Sequence, residues 1–103
     1  MTRDEVLKYL HDFNEKHQKS GFRLVSLFGS YARGEDDLFS DIDITYTIDH
    51  DIFYKDDGFA KLRKITDFKR ELEVQLNRKV DLVPLNGINK FMQENLKKEQ
   101  IAI

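Results

Sequence analysis

An α+β fold is what this chain of 103 residues predicts: a small mixed β-sheet of three to four strands with helices packed on one face. Three observations carry the prediction. Apolar residues recur at helical spacing near the start (Val6, Leu7, Leu10, Phe13) and again between Phe59 and Asn77. Short apolar runs stand between and after these segments at Phe22–Phe28, Asp41–Ile48 and Lys79–Val83. Helical and extended segments alternate, so each strand can be covered by a neighbouring helix.

The first helix opens at Thr2, which with Glu5 has the spacing of a capping box. Ser20-Gly21 ends it. Phe22–Phe28 is the first strand, and Gly29-Ser30 starts a short helix that stops near Gly34. Glu35–Ser40 is a polar loop, and Asp41–Ile48 is the second strand. Asp49–Gly58 reads as a loop, with Asp56-Asp57-Gly58 a turn signal. The long helix from Phe59 to Asn77 carries an apolar stripe of Leu62, Ile65, Leu72 and Leu76. Lys79–Val83 is the third strand, ended by Pro84. Asn86 can cap a last helix bearing Ile88, Phe91, Met92 and Leu96, and Gln100–Ile103 can add a short edge strand.

Composition narrows the class. A chain of this length makes one domain over residues 1–103, with a modest core. Hydrophobic residues at 40% and charged residues at 35% give a soluble balance. A net charge of −2 lacks the basic footprint of a duplex-binding protein. Without cysteine there is no disulfide and no thiolate metal site. No apolar run approaches the roughly 18 residues of a membrane span, and Met1-Thr2-Arg3-Asp4 does not read as a signal peptide, so the expected location is cytoplasmic.

The chemistry concentrates in two segments. Asp41 and Asp43 are one strand step apart, so alternation projects both from one face while Ile42 and Ile44 project from the other. Two carboxylates about 6–7 Å apart along a strand can share a divalent cation. Aspartate is a poor strand former, so a pair inside an Ile-rich strand needs a reason. Oxygen ligands suit Mg²⁺. Upstream, Gly29 and Ser30 form a strand-to-helix turn where free backbone N–H groups can meet a phosphate, and Ser30 can add its hydroxyl. Glycine lets the backbone approach such a ligand closely. A cation site beside a phosphate cradle reads as nucleotide chemistry. Asp81, in Val80-Asp81-Leu82-Val83, joins the same face if its strand neighbours the second one, and could take a proton from an attacking hydroxyl. Arg33 can reach a triphosphate or pair with an acidic neighbour to hold the turn. Tyr31 can contact a ligand or stay a partly exposed aromatic, and Arg78 and Lys79 read as solvated cations. His11, His17 and His50 do not assemble a site.

The spacing Gly-Ser-x10-Asp-x-Asp, in the string GSYARGEDDLFSDIDI with VDLV later, resembles the nucleotidyltransferases of the DNA polymerase β superfamily. It is most similar to the minimal nucleotidyltransferases (MNT), many of which are antitoxins encoded beside a HEPN-domain toxin. The resemblance spans nearly the whole chain. It implies the polymerase β-like α+β fold, ATP as substrate with its triphosphate at Gly29, Ser30 and Arg33, and Mg²⁺, as two ions, at Asp41, Asp43 and Asp81. It implies transfer of AMP with loss of pyrophosphate. Some members lack the third carboxylate; this chain has Asp81. Larger relatives carry an acceptor-binding domain that is not evident here, so the acceptor is brought by a partner. The resemblance suggests a HEPN toxin, in a hetero-oligomer, with AMP placed on a tyrosine hydroxyl near its ribonuclease site. Two other readings compete: an antitoxin that neutralises by covering its partner without catalysis, and a nucleotidyltransferase acting on a small molecule.

Overall fold

The computed structural model describes residues 2–29, 32, 41–49, 58–85 and 100–103. They form α1 (Arg3–Lys16), β1 (Phe22–Phe28), β2 (Ile42–Ile48), α2 (Gly58–Leu76), β3 (Val80–Pro84) and β4 (Ile101–Ala102). The strands make a four-stranded mixed sheet in the order β3-β2-β1-β4. β1 runs antiparallel to both β2 and β4, whereas β2 and β3 are parallel. A parallel pair needs a crossover connection, and α2 supplies its helical part. The expected edge strand at Gln100–Ile103 is present as β4. Several expected features lie outside the described residues: Ser30, Tyr31, Arg33, most of the short helix to Gly34, the polar loop after it, most of the 49–58 loop, the side chain of Leu62, and the last helix with its cap Asn86. Ala32, within that short helix, is helical and buried, and its carbonyl accepts from Arg3 of α1 at 3.2 Å. No described helix is long and apolar enough to cross a membrane.

The helix ends follow local chemistry. Glu5 N donates to Thr2 Oγ1 and Thr2 N donates to Glu5 Oε1, both at 3.2 Å, closing the capping box. The hydrogen bonds from Thr2 hold the Glu5 carboxyl below its ordinary range. α1 ends at Lys16, a little before Ser20-Gly21, because Ser20 turns back on it: its N–H and hydroxyl both donate to His17 O, at 2.9 and 2.6 Å. After α2, Asn77 sits at φ +52°, the left-handed conformation that Asn tolerates just past a helix.

Both helices cover one face of the sheet. Phe22, Leu24 and Leu27 of β1, Ile42, Ile44 and Tyr46 of β2, and Val80 of β3 pack in one cluster with Val6, Leu10 and Phe13 of α1 and Leu72 and Leu76 of α2. At the end of the sheet where β1 begins, Phe22 stacks between Phe68 and Tyr46, with ring centroids 4.7 and 5.0 Å away. α1 and α2 are also clamped through Glu71, which meets Lys16 Nζ at 2.7 Å and His17 Nε2 at 3.1 Å.

One departure from simple alternation positions the site. Strict period two would send Phe22, Leu24, Ser26 and Phe28 to the same face. Instead Leu24 pairs with Tyr46 and Ser26 pairs with Thr45, so the register shifts and Val25 is the extra residue of a β-bulge. Beyond the bulge the phase inverts. Leu27 turns into the core, opposite Ile44, and Ser26 and Phe28 turn to the outer face, opposite Thr45 and Asp43.

Candidate active site

The outer face of the sheet carries the carboxylates. β2 alternates as its sequence requires: Ile42, Ile44 and Tyr46 are buried beneath the helices, and Asp43 and Thr45 stand on the other side. Asp41, just before the strand, shares the side of Asp43 by the same alternation. The parallel register of β2 with β3 sets Asp81 directly opposite Asp43. Adjacent strands lie about 4.8 Å apart, so the third aspartate is an immediate lateral neighbour of the pair. Asp41 and Asp43 are half-buried and Asp81 is exposed. Like charges directly opposite on neighbouring strands destabilise a sheet. A cation held between the two carboxylates would relieve that repulsion.

Gly29 completes the geometry. It follows β1 at φ +77°, and its Cα faces the Asp43 side chain. A Cβ built there would overlap Oδ2 of Asp43 and come within 3.2 Å of its Cγ. Only glycine allows the chain to turn left-handed against that carboxylate. The turn expected to cradle phosphate is thus in contact with the expected cation ligand. Ser30 and Arg33, the other expected phosphate contacts, and Tyr31 lie outside the described residues.

The three aspartates share a face through backbone register. Among the described residues, no three acidic or histidine side chains converge closely enough to hold a cation as they stand. Their donor chemistry still fits a hard divalent ion. All three offer carboxylate oxygens, and the missing Cβ at Gly29 keeps the approach to Asp43 clear. Of the described histidines, His11 pairs with Glu15 at 3.4 Å and His17 with Glu71, while His50 lies outside the described residues. Lys79 is exposed, while Arg78, expected to be solvated, is half-buried and donates to Asn77 O at 3.0 Å. A cavity of about 540 Å³ lies at the far end of β1 and β2, among His11, Glu15, Arg23, Thr47 and Asp49. Its described lining mixes both charges, whereas the carboxylate face gathers acid beside a glycine turn.

Sequence reasoning missed a polar chain beside the aspartates. Ser26 and Thr45 are buried on the outer face, at 2% and 0% exposure, with their hydroxyl oxygens 2.5 Å apart. Ser26 Oγ also donates to Gln100 Oε1 at 3.0 Å. Ser26 has a single proton to give, so Thr45 donates to Ser26. Nothing in the sequence marks this chain, because the bulge at Val25 is what turns Ser26 outward.

The chain is similar to known proteins in sequence and in fold. The family model described as Polymerase beta, Nucleotidyltransferase matches residues 10–103. A Methanocaldococcus jannaschii protein named "Putative protein adenylyltransferase MJ1215" is 35% identical over 91 residues, covering 84% of this chain and 96% of its own. A second protein of that organism with the same description, MJ0126, is 33% identical over 101 residues, covering 96% and 92% of the two chains. Among solved structures, a "putative minimal nucleotidyltransferase" superposes with a TM-score of 0.72 at 23% identity, over 100% of this chain and 97% of that one. A toxin–antitoxin crystal structure with AMP-PNP gives a TM-score of 0.63 at 24% identity, over 99% and 72%. At these identities the structural likenesses establish the fold. Together with the family match and the sequence relatives, they show that this chain belongs to the polymerase β nucleotidyltransferase family.

Proposed function

We propose that the chain is a Mg²⁺-dependent nucleotidyltransferase that moves AMP from ATP onto a hydroxyl of a partner protein, and that it is the antitoxin of a HEPN ribonuclease toxin. The observation that carries this reading is the lateral pairing of Asp43 with Asp81, with Gly29 packed on Asp43. Supporting it, the sequence relatives are named protein adenylyltransferases. One fold neighbour is a tri-AMPylated Shewanella oneidensis HEPN toxin in complex with an MNT antitoxin, with a TM-score of 0.53.

In this reading Asp41, Asp43 and Asp81 hold Mg²⁺, Gly29 with Ser30 and Arg33 receives the triphosphate, and residues 1–103 work as one minimal domain. Bound Mg²⁺ would neutralise charge on the entering and leaving oxygens of an in-line displacement. The acceptor hydroxyl oxygen forms a bond to the α-phosphorus of ATP. The bond from that phosphorus to the bridging oxygen breaks, and pyrophosphate leaves. Asp81, exposed at the open side of the pair, takes the hydroxyl proton.

Incubation with α-labelled ATP, Mg²⁺ and the product of the neighbouring gene, as the candidate toxin, tests the proposal. The expected result is a labelled toxin, release of pyrophosphate and loss of its ribonuclease activity. Asp81→Asn should keep toxin binding by calorimetry while losing label transfer about 10²–10⁴-fold, the range for loss of a general base. Full rescue of growth by a variant that transfers no AMP would instead establish neutralisation by covering.

A further inference from the structure

The row of side chains that holds Asp81 and Asp43 continues across the whole sheet. Asp81 is opposite Asp43, and Asp43 is opposite Phe28. In the β1–β4 pairing Leu27 is opposite Ile101 and Ser26 is opposite Ala102, so one further step in the same register sets Gln100 opposite Phe28. At about 4.8 Å per strand, Gln100 lies about 10 Å from Asp43 along this row, on the side away from β3. A nucleotide whose α-phosphate sits at the aspartates and whose base extends along the row would pass over Phe28 and reach Gln100. Phe28 is the apolar member of the row and offers a ring face on which a base or ribose can rest.

One end of the Gln100 amide is engaged by its neighbour on the same face. Its Oε1 accepts from Ser26 Oγ, and Ser26 is in turn held by the buried Thr45 hydroxyl. A free glutamine amide offers both a donor and an acceptor. With its oxygen engaged on an exposed residue, the Gln100 amide has N–H donors to offer a ligand. Adenine offers an acceptor at N1, where guanine carries an N–H donor. A donor at this place separates the two bases, because guanine would set donor against donor.

We propose that Gln100 reads the nucleobase, selecting adenine through its side-chain amide, with Ser26 and Thr45 as positioning residues. The inference rests on the nucleotide-transfer reading of the carboxylate face. Its test is the ratio of kcat/KM for ATP over GTP in toxin labelling, together with binding of Mg²⁺-ATP and Mg²⁺-GTP by calorimetry. Wild type should prefer ATP. Gln100→Ala should lower the ATP:GTP ratio about 10-fold, the worth of one hydrogen bond, through KM for ATP and with kcat little changed. Gln100→Glu, of the same shape but with acceptors only, should lower the ratio further by admitting GTP. An unchanged ratio in both variants, or a loss of kcat with the ratio intact, overturns the assignment and leaves the transfer reading standing. Failure of the wild-type protein to bind either nucleotide overturns both. If Gln100→Ala does not fold by circular dichroism, the isosteric Gln100→Glu decides alone.

Discussion

The two faces of β2 are built from alternate residues of one strand, yet they obey different rules. On the inner face Ile42 and Ile44 are fully buried in an apolar cluster with residues of α1 and α2. On the outer face Asp43 stands directly opposite Asp81 and against Gly29, which sets two like charges side by side on neighbouring strands. The inner face is what holds the sheet to the helices. The outer face carries acid that a bound cation would draw together. Neighbouring residues on one strand can therefore differ completely in what their replacement would do.

The largest effect should come from the outer face. Asp43→Asn should reduce AMP transfer by about 10³-fold or more, since a cation site is worth several kcal/mol of transition-state stabilisation. Its melting temperature should be unchanged or higher, because one of two opposed charges is gone. A marked fall in melting temperature with transfer retained would show that Asp43 is structural and would erase the contrast.

The next residue along should behave in the opposite way. Ile44→Ala removes buried methyl groups from the inner face and should cost about 2–5 kcal/mol in denaturant unfolding, the usual range for such a truncation. Transfer per folded molecule should persist at low temperature. Gly29→Ala should fall between the two. A left-handed backbone costs a non-glycine residue about 1–2 kcal/mol, and the added Cβ must displace the Asp43 carboxylate. Stability and transfer should therefore drop together, which joins the two measurements at one site.

The smallest effect belongs to the helix layer. Burial alone would raise the Glu71 carboxyl, but the hydrogen bond from Lys16 and the charge of His17 outweigh it and hold the group below its ordinary value of 4.5. A lowered carboxyl contributes stability that is present above pH 4.5 and is lost as pH falls through the folded value. Glu71→Gln should flatten that acid limb of the melting curve by about 1 kcal/mol or less, with transfer at neutral pH unchanged. A loss of transfer in this variant would show that the α1–α2 clamp reaches the carboxylate face.

Much of the molecule was legible because its signals are local. The Thr2–Glu5 box, the stripe through Leu72 and Leu76, and the strand phase of Asp41 and Asp43 each depend on residues a few positions apart. The face of Asp81 was conditional, since its register with β2 depends on a pairing made across the whole of α2. Ser26, Thr45 and Gln100 were not legible at all. Their meeting requires β1 to hydrogen-bond with strands from two distant parts of the chain.

By itself, then, the sequence determined the element order, the covered face of β2, and the presence of acid on its other face, because side-chain periodicity along a helix or strand is intrinsic to the backbone. Tertiary structure decided the rest. The bulge at Val25 chose which half of β1 faces the core, sending Leu27 in and Ser26 and Phe28 out. The parallel register chose Asp81 as the partner of Asp43. Since strand side chains alternate with period two, a slip of one residue in either pairing would have exchanged the faces. That choice is made by long-range packing, which no local stretch of the chain contains.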